Sequence, residues 1–331
     1  MANAIIRGTG RYTPEKVLTN ADLEKMVDTS DEWIVERTGI RERRVLNGSG
    51  DFGCSDMAVA ASRNAIEDAG LTPRDVDAII LGTVTPDFVV PSTATVVQYK
   101  LGCRRAAVMD IVAACAGFLY GLSIARAFIV SNTYKNVLVI GVEHLTSITN
   151  YKDRNTCVLF GDGAGAAIVA PSTASESGRG ILATYLSGDG QYRDLLNVEL
   201  GGSRAPLTAQ TLDSPGRFIY MDGRSIFKLA VREMADAAER VLESAGVKPA
   251  DVDMLIPHQA NIRIVEAVCK KLGFPMERVY QNIERYGNTS AASVPIALDE
   301  ARRGGIVADG SLILSVAFGG GLVWGAALYR L

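Results

Sequence analysis

Residues 65–79, AIEDAGLTPRDVDAI, return 176 positions later as residues 241–255, VLESAGVKPADVDML. The Ala-Gly pair, the proline and the Asp-Val-Asp triplet all fall in register. A second pair, NVLVIGVE at 136–143 and SLILSVAF at 311–318, repeats at an offset of 175. A glycine-rich stretch follows each strand of that pair, FGDGAGAAIVA at 160–170 and FGGGLVWGAAL at 318–328. Two unrelated pairs sharing nearly one offset point to an internal duplication. The polar run PSTASESGRG at 171–180 is the predicted boundary, which gives halves 1–172 and 173–331.

Each half reads coarsely as helix, strand, helix, strand, strand. Helical spacing of apolar residues covers 55–69 and stops at Gly70. Residues 77–84 and the run NVLVIGV read as buried strands, and 116–132 as a helix apolar almost all round and therefore central. The segment 157–170 reads as a hairpin or two short strands. In the second half, helices are predicted over 224–245, 261–272 and 289–303, and strands over 252–256, 311–317 and 322–330. Such alternation predicts an α/β protein with parallel or mixed sheets covered by helices.

Composition bounds the function. The 331 residues, 48% hydrophobic, are ample for a large core. A net charge of −3 gives no basic excess for nucleic acid. No stretch approaches the roughly 20 apolar residues of a membrane helix, and Arg7 interrupts the N-terminus too early for a signal peptide. Five cysteines without a CxxC spacing make disulfides and structural zinc poor readings, so a reducing cytoplasm is expected.

The duplication brings three residues towards one interface. Shifted by 175, Cys115 lands on Ser290, two residues beyond Asn288. His258 follows the strand ending at Ile256, and its counterpart is Thr83. Cys115, His258 and Asn288 are therefore expected to meet between the halves, a common place for a small-molecule site. A thiol at a helix N-terminus is expected to have a lowered pKa. An imidazole and an amide beside it suit proton handling and enolate stabilisation. Taken singly, each residue has a plainer reading as buried thiol, strand-end histidine or turn. His144, at a strand end after Glu143, is not assigned to the site, and the other four cysteines are read as structural.

Taken together, DIVAACAGFLYGL (110–122), PHQANIRI (257–264) and GNTSAASVPIALDEA (287–301) resemble the thiolase superfamily and, within it, the β-ketoacyl-acyl carrier protein synthase III family. The resemblance extends over TNADLEKMVDTSDEWIVERTGIRERR (19–44), FGDGAGAA and AFGGGLVWGAAL, so it covers essentially the whole chain. It implies a thiolase-like fold: duplicated βαβαβαββ halves in a layered α-β-α-β-α sandwich. It also implies a ping-pong condensation initiating fatty acid synthesis, with Cys115 taking the acyl group of an acyl-CoA. His258 and Asn288 would then stabilise the enolate formed from malonyl-acyl carrier protein. The N–H groups of Cys115 and Gly320 would form the oxyanion hole. CoA contacts would come from Thr29, Trp33, Arg37, Arg154, Gly223, Phe227, Ala260 and Asn261, with Trp33 and Arg154 sandwiching the adenine. The carrier protein would dock on Gln259, Ala260, Asn261, Ile262, Arg263, Lys228, Lys270 and Lys271. CoA thioesters are substrates here, and no cofactor or metal is implied. The family also implies a homodimer.

One departure stands out. Many members carry phenylalanine before the proline of PDFVVPSTA, where this chain has Val90. In the family that residue closes the partner's acyl pocket, beside Phe318. The smaller side chain implies tolerance of longer or branched starters. Two alternatives stay open. One is a condensing enzyme of a secondary-metabolite pathway with the same chemistry. The other is a dinucleotide-dependent oxidoreductase, whose glycine fingerprint is incomplete at IIRGTGRYTP and misplaced at GDGAGAA. A non-catalytic protein of this fold is disfavoured by the intact Cys-His-Asn set.

Overall fold

The computed structural model describes residues 3–46 and 52–331. The apolar runs become two sheets with one strand order. The first runs Ala4–Tyr12, Asp162–Pro171, Val137–His144, Ala78–Gly82, Ala107–Ile111, with its last three strands parallel. The second runs Gly180–Gly188, Val323–Arg330, Leu312–Gly319, Met254–Leu255, and an isolated parallel bridge from Leu255 to Val279 stands where the first sheet has its fifth strand. Strand for strand, the second sheet repeats the first.

Period-two alternation explains the layering. Val137 and Val139 point into the central core with Phe118, Leu119 and Leu122 of helix Gly117–Val130. Leu138, Ile140 and Val142 point the other way, onto helices Cys54–Asp68 and Thr93–Leu101. In the second sheet Ile313 and Ala317 face the same central core, joined by Val294, Ala297 and Leu298 of helix Ser293–Arg303. Leu312, Leu314 and Val316 face helices Gly223–Ala245 and Ile262–Leu272. The result is helix, sheet, helix, sheet, helix, with two helices buried between the sheets.

Two readings need correction. Residues 157–170 hold neither a hairpin nor two short strands: a turn leads into one strand, Asp162–Pro171. Its glycines permit close approach instead of turning. A Cβ on Gly165 would sit 2.7 Å from Ile296 N, where helix Ser293–Arg303 crosses the sheet. The structural mate of Cys115 is Ala291, not Ser290. The 3-10 turns Ala114–Ala116 and Ser290–Ala292 correspond, and each opens on a left-handed residue, Ala114 at φ 41° and Ser290 at φ 47°. Each costs about 1–3 kcal/mol of backbone strain, at the two points where the halves meet.

Candidate active site

Three local features place the three candidate residues. Strand Met254–Leu255 pairs in parallel with Leu312–Gly319, and this pairing continues through Ile256 N to Leu314 O (2.8 Å) and His258 N to Val316 O (2.7 Å). The ladder therefore delivers His258 to the end of the sheet. Gly287, at φ 63°, lets the chain lie against residues 159–161, and a Cβ there would strike Leu159 O at 2.7 Å. Asn288 is then clamped by its N–H on Leu159 O (2.8 Å) and its carbonyl on Gly161 N (3.0 Å). Cys115 sits in the 3-10 turn before helix Gly117–Val130.

All three line one cavity of about 680 Å³. Trp33, Arg37, Gly223, Phe227, Lys228, Ala260, Asn261, Arg263 and Phe318 line it too, so most of the proposed substrate contacts share its walls. Two polar atoms are left free to act in it. Asn288 Oδ1 accepts from Ser290 N (2.8 Å), while its Nδ2 has no partner among the described residues. His258 Nδ1 lies 2.6 Å from Ser293 Oγ, which also accepts from Gln259 N at 3.4 Å. A serine hydrogen donated to Nδ1 would place the ring proton on Nε2, the tautomer that a donor role for this histidine requires.

The electrostatics differ from the expectation for Cys115. Burial pushes its thiol up to about 12, against the lowering hydrogen bond from Ser290 and with a raising contribution from the Glu143 carboxylate. Burial thus acts on this thiol in the direction opposite to that expected from the helix terminus. Burial also pulls His258 down to about 3, so its imidazole is neutral.

Not every candidate belongs to the cavity. Gln259 as a carrier-protein contact is contradicted: it is 1% exposed, and its side chain is occupied by Pro257 O, Tyr280 O and Asn282 N. Lys270 and Lys271 stand in the last turn of helix Ile262–Leu272, about 10 Å along the axis from Arg263. Ile262 packs against Gly39, and Val90 is 84% exposed on the surface of this chain, away from the cavity. Arg154 lies directly over Trp33, its guanidinium carbon 5.0 Å from the ring centroid. A base inserted between them needs about 7 Å, two contacts of about 3.5 Å, so Arg154 must leave Asp28, whose carbonyl it holds at 2.7 Å. Thr29 Oγ1 is buried without a partner among the described residues, and Thr29 does not line the cavity. Gly320 follows Gly319, whose added Cβ would meet Cys115 N at 2.5 Å. The strand end therefore lies against the cysteine backbone.

The sequence reading missed Leu196, Tyr220, Met221 and Arg224, which also line the cavity. Leu196, Tyr220 and Met221 come from 189–222, a stretch of turns and short elements with no periodicity to read, whereas Arg224 stands in the first turn of helix Gly223–Ala245. It also missed Ser290 and Glu143. The one available signal was a carboxylate ending an otherwise apolar strand.

Residues 109–190 match the family model for 3-oxoacyl-[acyl-carrier-protein] synthase III, and residues 242–331 match the model for its C-terminal part. The chain is 55% identical, over 98% of its length and 97% of the relative's, to a beta-ketoacyl-[acyl-carrier-protein] synthase III of Caldanaerobacter subterraneus subsp. tengcongensis. It is similar to the crystal structure of the 3-oxoacyl-[acyl-carrier-protein] synthase III of Aquifex aeolicus, with a TM-score of 0.91 and 50% identity over 99% of this chain and 100% of that one. It is also similar to a priming β-ketosynthase of a polyketide biosynthetic pathway, with a TM-score of 0.90 and 35% identity over 99% and 96% of the two chains.

Proposed function

The chain belongs to the β-ketoacyl-acyl carrier protein synthase III family, the initiating condensing enzymes of fatty acid synthesis, and on that premise we propose that Cys115, His258 and Asn288 carry out its reaction. It is an acyltransferase of the condensing type. In this reading residues 1–172 supply the nucleophile and residues 173–331 the imidazole and amide. The observation that carries the reading is the shared cavity, in which one thiol, Nε2 of a neutral imidazole and Asn288 Nδ2 are all available.

The first half-reaction is acyl transfer. Cys115 Sγ attacks the thioester carbonyl of an acyl-CoA, the oxyanion is held by the N–H groups of Cys115 and Gly320, and CoA leaves as its thiolate. Malonyl-acyl carrier protein then enters the same tunnel. His258 Nε2–H and Asn288 Nδ2–H donate to its thioester carbonyl, CO2 departs, and the enolate attacks the acyl-Cys115. A histidine held neutral suits this step, because a donor is needed and a buried cation is not. No cofactor enters the reaction as proposed.

Gly319 supplies a test of the oxyanion geometry. Gly319→Ala is expected to push the Cys115 backbone aside, since its Cβ would lie 2.5 Å from Cys115 N. A displacement near one ångström lowers kcat by about 10²-fold, with the melting temperature measured alongside. An unchanged kcat would mean that the Cys115 N–H plays no part.

The partners follow the same reading. Arg37, Arg263, Arg224 and Lys228 line the cavity and suit the phosphates of CoA and an acidic carrier protein. A second copy of the chain is the proposed cover for Phe88, Val89, Val90, Tyr99 and Val112, exposed apolar residues near strand Ala107–Ile111. That strand is the sheet's edge, an open ladder suited to pairing with its own copy. Val90 would then close the neighbour's acyl pocket opposite Phe318. No nucleic acid partner is proposed. Among the described residues no helix is long and apolar enough to cross a membrane, and a cytoplasmic setting is proposed.

The functional test uses the purified chain with malonyl-acyl carrier protein and acetyl-, isobutyryl- or octanoyl-CoA, following CO2 release and 3-oxoacyl product. Condensation with the larger primers is expected. No condensation with any primer contradicts the proposed function. A strict acetyl preference that Val90→Phe leaves unchanged contradicts the role of Val90 alone. The secondary-metabolite reading draws on the likeness to the polyketide priming enzyme, but the 55% and 50% relatives favour fatty acid synthesis.

A further inference from the structure

Where the parallel ladder ends, at His258 N on Val316 O, the chain leaves the sheet and the backbone no longer fixes how the imidazole points. Side chains take over. Ser293, the first residue of helix Ser293–Arg303, sets its Oγ 2.6 Å from His258 Nδ1. Gln259, next to the histidine, bonds the backbone on both sides: Nε2 donates to Pro257 O (2.8 Å) and Tyr280 O (3.3 Å), and Oε1 accepts from Asn282 N (3.1 Å). Asn282 Nδ2 donates in turn to Glu300 Oε2 at 2.8 Å, about two turns along the same helix from Ser293. One helix therefore grips the histidine loop twice, at the ring itself and, through Asn282 and Gln259, at the backbone. Ser293 is buried and does not line the cavity, so its hydroxyl is out of a substrate's reach.

The duplication singles out this contact. Leu255 pairs with Leu314 as Ile79 pairs with Leu138, so the structural mate of His258 is Gly82, not Thr83, and that of Ser293 is Gly117. Gly117 opens its helix as Ser293 does. These mates also meet: a Cβ on Gly82 would lie 3.0 Å from Gly117 Cα. The two halves make the same crossing, with bare backbone in the first and a hydroxyl on an imidazole in the second.

Counting hydrogens gives the bond a direction. Ser293 Oγ accepts from Gln259 N at 3.4 Å, and among the described residues its hydrogen has no acceptor other than Nδ1. A proton on Nδ1 would leave the serine hydrogen buried and unpaired, a state that folded proteins avoid. With the serine as donor, Nδ1 is a lone pair and Nε2 carries the proton. A histidine that serves as a base is instead held by a carboxylate, which takes Nδ1–H and leaves the lone pair at Nε2. Among the described residues no carboxylate bonds Nδ1. Ser293 also brings the positive end of its helix to the ring, which disfavours a second proton there.

We propose that Ser293 is a positioning residue for the condensation step: its hydroxyl donates to His258 Nδ1 and holds the imidazole as an Nε2–H donor to the thioester carbonyl of malonyl-acyl carrier protein. This deepens the proposed function and rests on His258 acting in the second half-reaction. Ser293 touches no substrate, and no proton leaves the histidine. The Nε2–H bond to the carbonyl oxygen tightens as CO2 departs and the enolate forms, and relaxes when the enolate carbon attacks the acyl-Cys115. Acylation of Cys115 needs no donor from this ring and should not feel the serine.

The chain has two histidines, so the tautomer is open to direct reading. In enzyme labelled with 15N-histidine, His144→Gln identifies the His258 signals by subtraction. Nε2 should resonate as a protonated nitrogen and Nδ1 as an unprotonated, hydrogen-bonded one. A wild-type His258 protonated at Nδ1 overturns the proposal without any change at Ser293. Ser293→Ala should acylate Cys115 at the wild-type single-turnover rate, yet release CO2 from malonyl-acyl carrier protein about 10–10²-fold more slowly once acylated. Ser293→Thr and Ser293→Val add similar bulk and differ in the hydroxyl, so the threonine variant should condense faster by about that factor. In a His258→Ala background Ser293→Ala should cost nothing further. Wild-type condensation in Ser293→Ala, equal slowing of both half-reactions, equal rates in folded threonine and valine variants, or losses additive with His258→Ala would each overturn the role of Ser293. A His258→Ala enzyme that condenses at the wild-type rate would instead overturn the reading of His258 beneath it.

Discussion

Cys115→Ser is expected to abolish acyl transfer from acyl-CoA, lowering condensation by at least about four orders of magnitude. The substitution is small. Oxygen replaces sulfur in a turn flanked by Ala114 and Ala116. The effect is chemical. A site that raises the thiol to about 12 by burial raises a hydroxyl further still, and the serine oxyanion is the more strongly hydrated and costlier to desolvate. The measurement is acyl adduct by mass spectrometry beside the initial rate of CO2 release. Retained CoA binding, read by calorimetry, separates lost chemistry from lost folding. A serine variant that still forms 3-oxoacyl product at an appreciable rate would contradict covalent catalysis at this position.

His258→Ala and Asn288→Ala should divide the reaction at its midpoint. Both residues present a donor to the cavity, and neither contacts the thiol through a hydrogen bond recorded in the structure. Each variant is expected to acylate Cys115 yet lose about 10²–10³-fold in decarboxylation and condensation, the usual effect of deleting one oxyanion donor. The structural costs differ. His258→Ala leaves the Ser293 hydroxyl without its partner. Asn288→Ala frees Ser290 N from its acceptor at 2.8 Å. The check is single-turnover acylation, followed by CO2 release when malonyl-acyl carrier protein is added to the acyl-enzyme. Failure at acylation in both well-folded variants would move these residues to the first half-reaction.

Much of the fold was legible because it is written twice. Offsets of 175 and 176 identified matching strands, and the buried runs at 137–144 and 312–319 are apolar on both faces, as central strands must be. Less visible were Ala107–Ile111, half-exposed along its length, and helix Thr93–Leu101, whose apolar residues are interleaved with threonines and polar groups. Glycines at 161, 163 and 165 misled for a physical reason. They resemble a turn signal, but they mark where another element crosses the sheet, which only tertiary structure reveals.

The candidate site was legible as motifs and less so as electrostatics. The helix-terminus argument for Cys115 left out its surroundings: the thiol lies in a 3-10 turn ahead of the α-helix, and burial pushes its pKa up. Gln259 sits within the motif PHQANIRI, yet it serves the backbone and not a partner. Ser290 entered the sequence reading only as an alignment mate of Cys115, one residue out of register. What the structure adds is its hydroxyl, donated to the buried Glu143 carboxylate that no motif announced.

The central claim is that one sulfur carries the acyl group. Incubation with a short acyl-CoA, followed by intact-protein mass spectrometry and peptide mapping, tests it most directly. A single acyl increment on Cys115, discharged by malonyl-acyl carrier protein with formation of 3-oxoacyl product, is the predicted result. An unmodified Cys115 in an enzyme that still condenses, or an increment on Cys54, Cys103, Cys157 or Cys269, would contradict it.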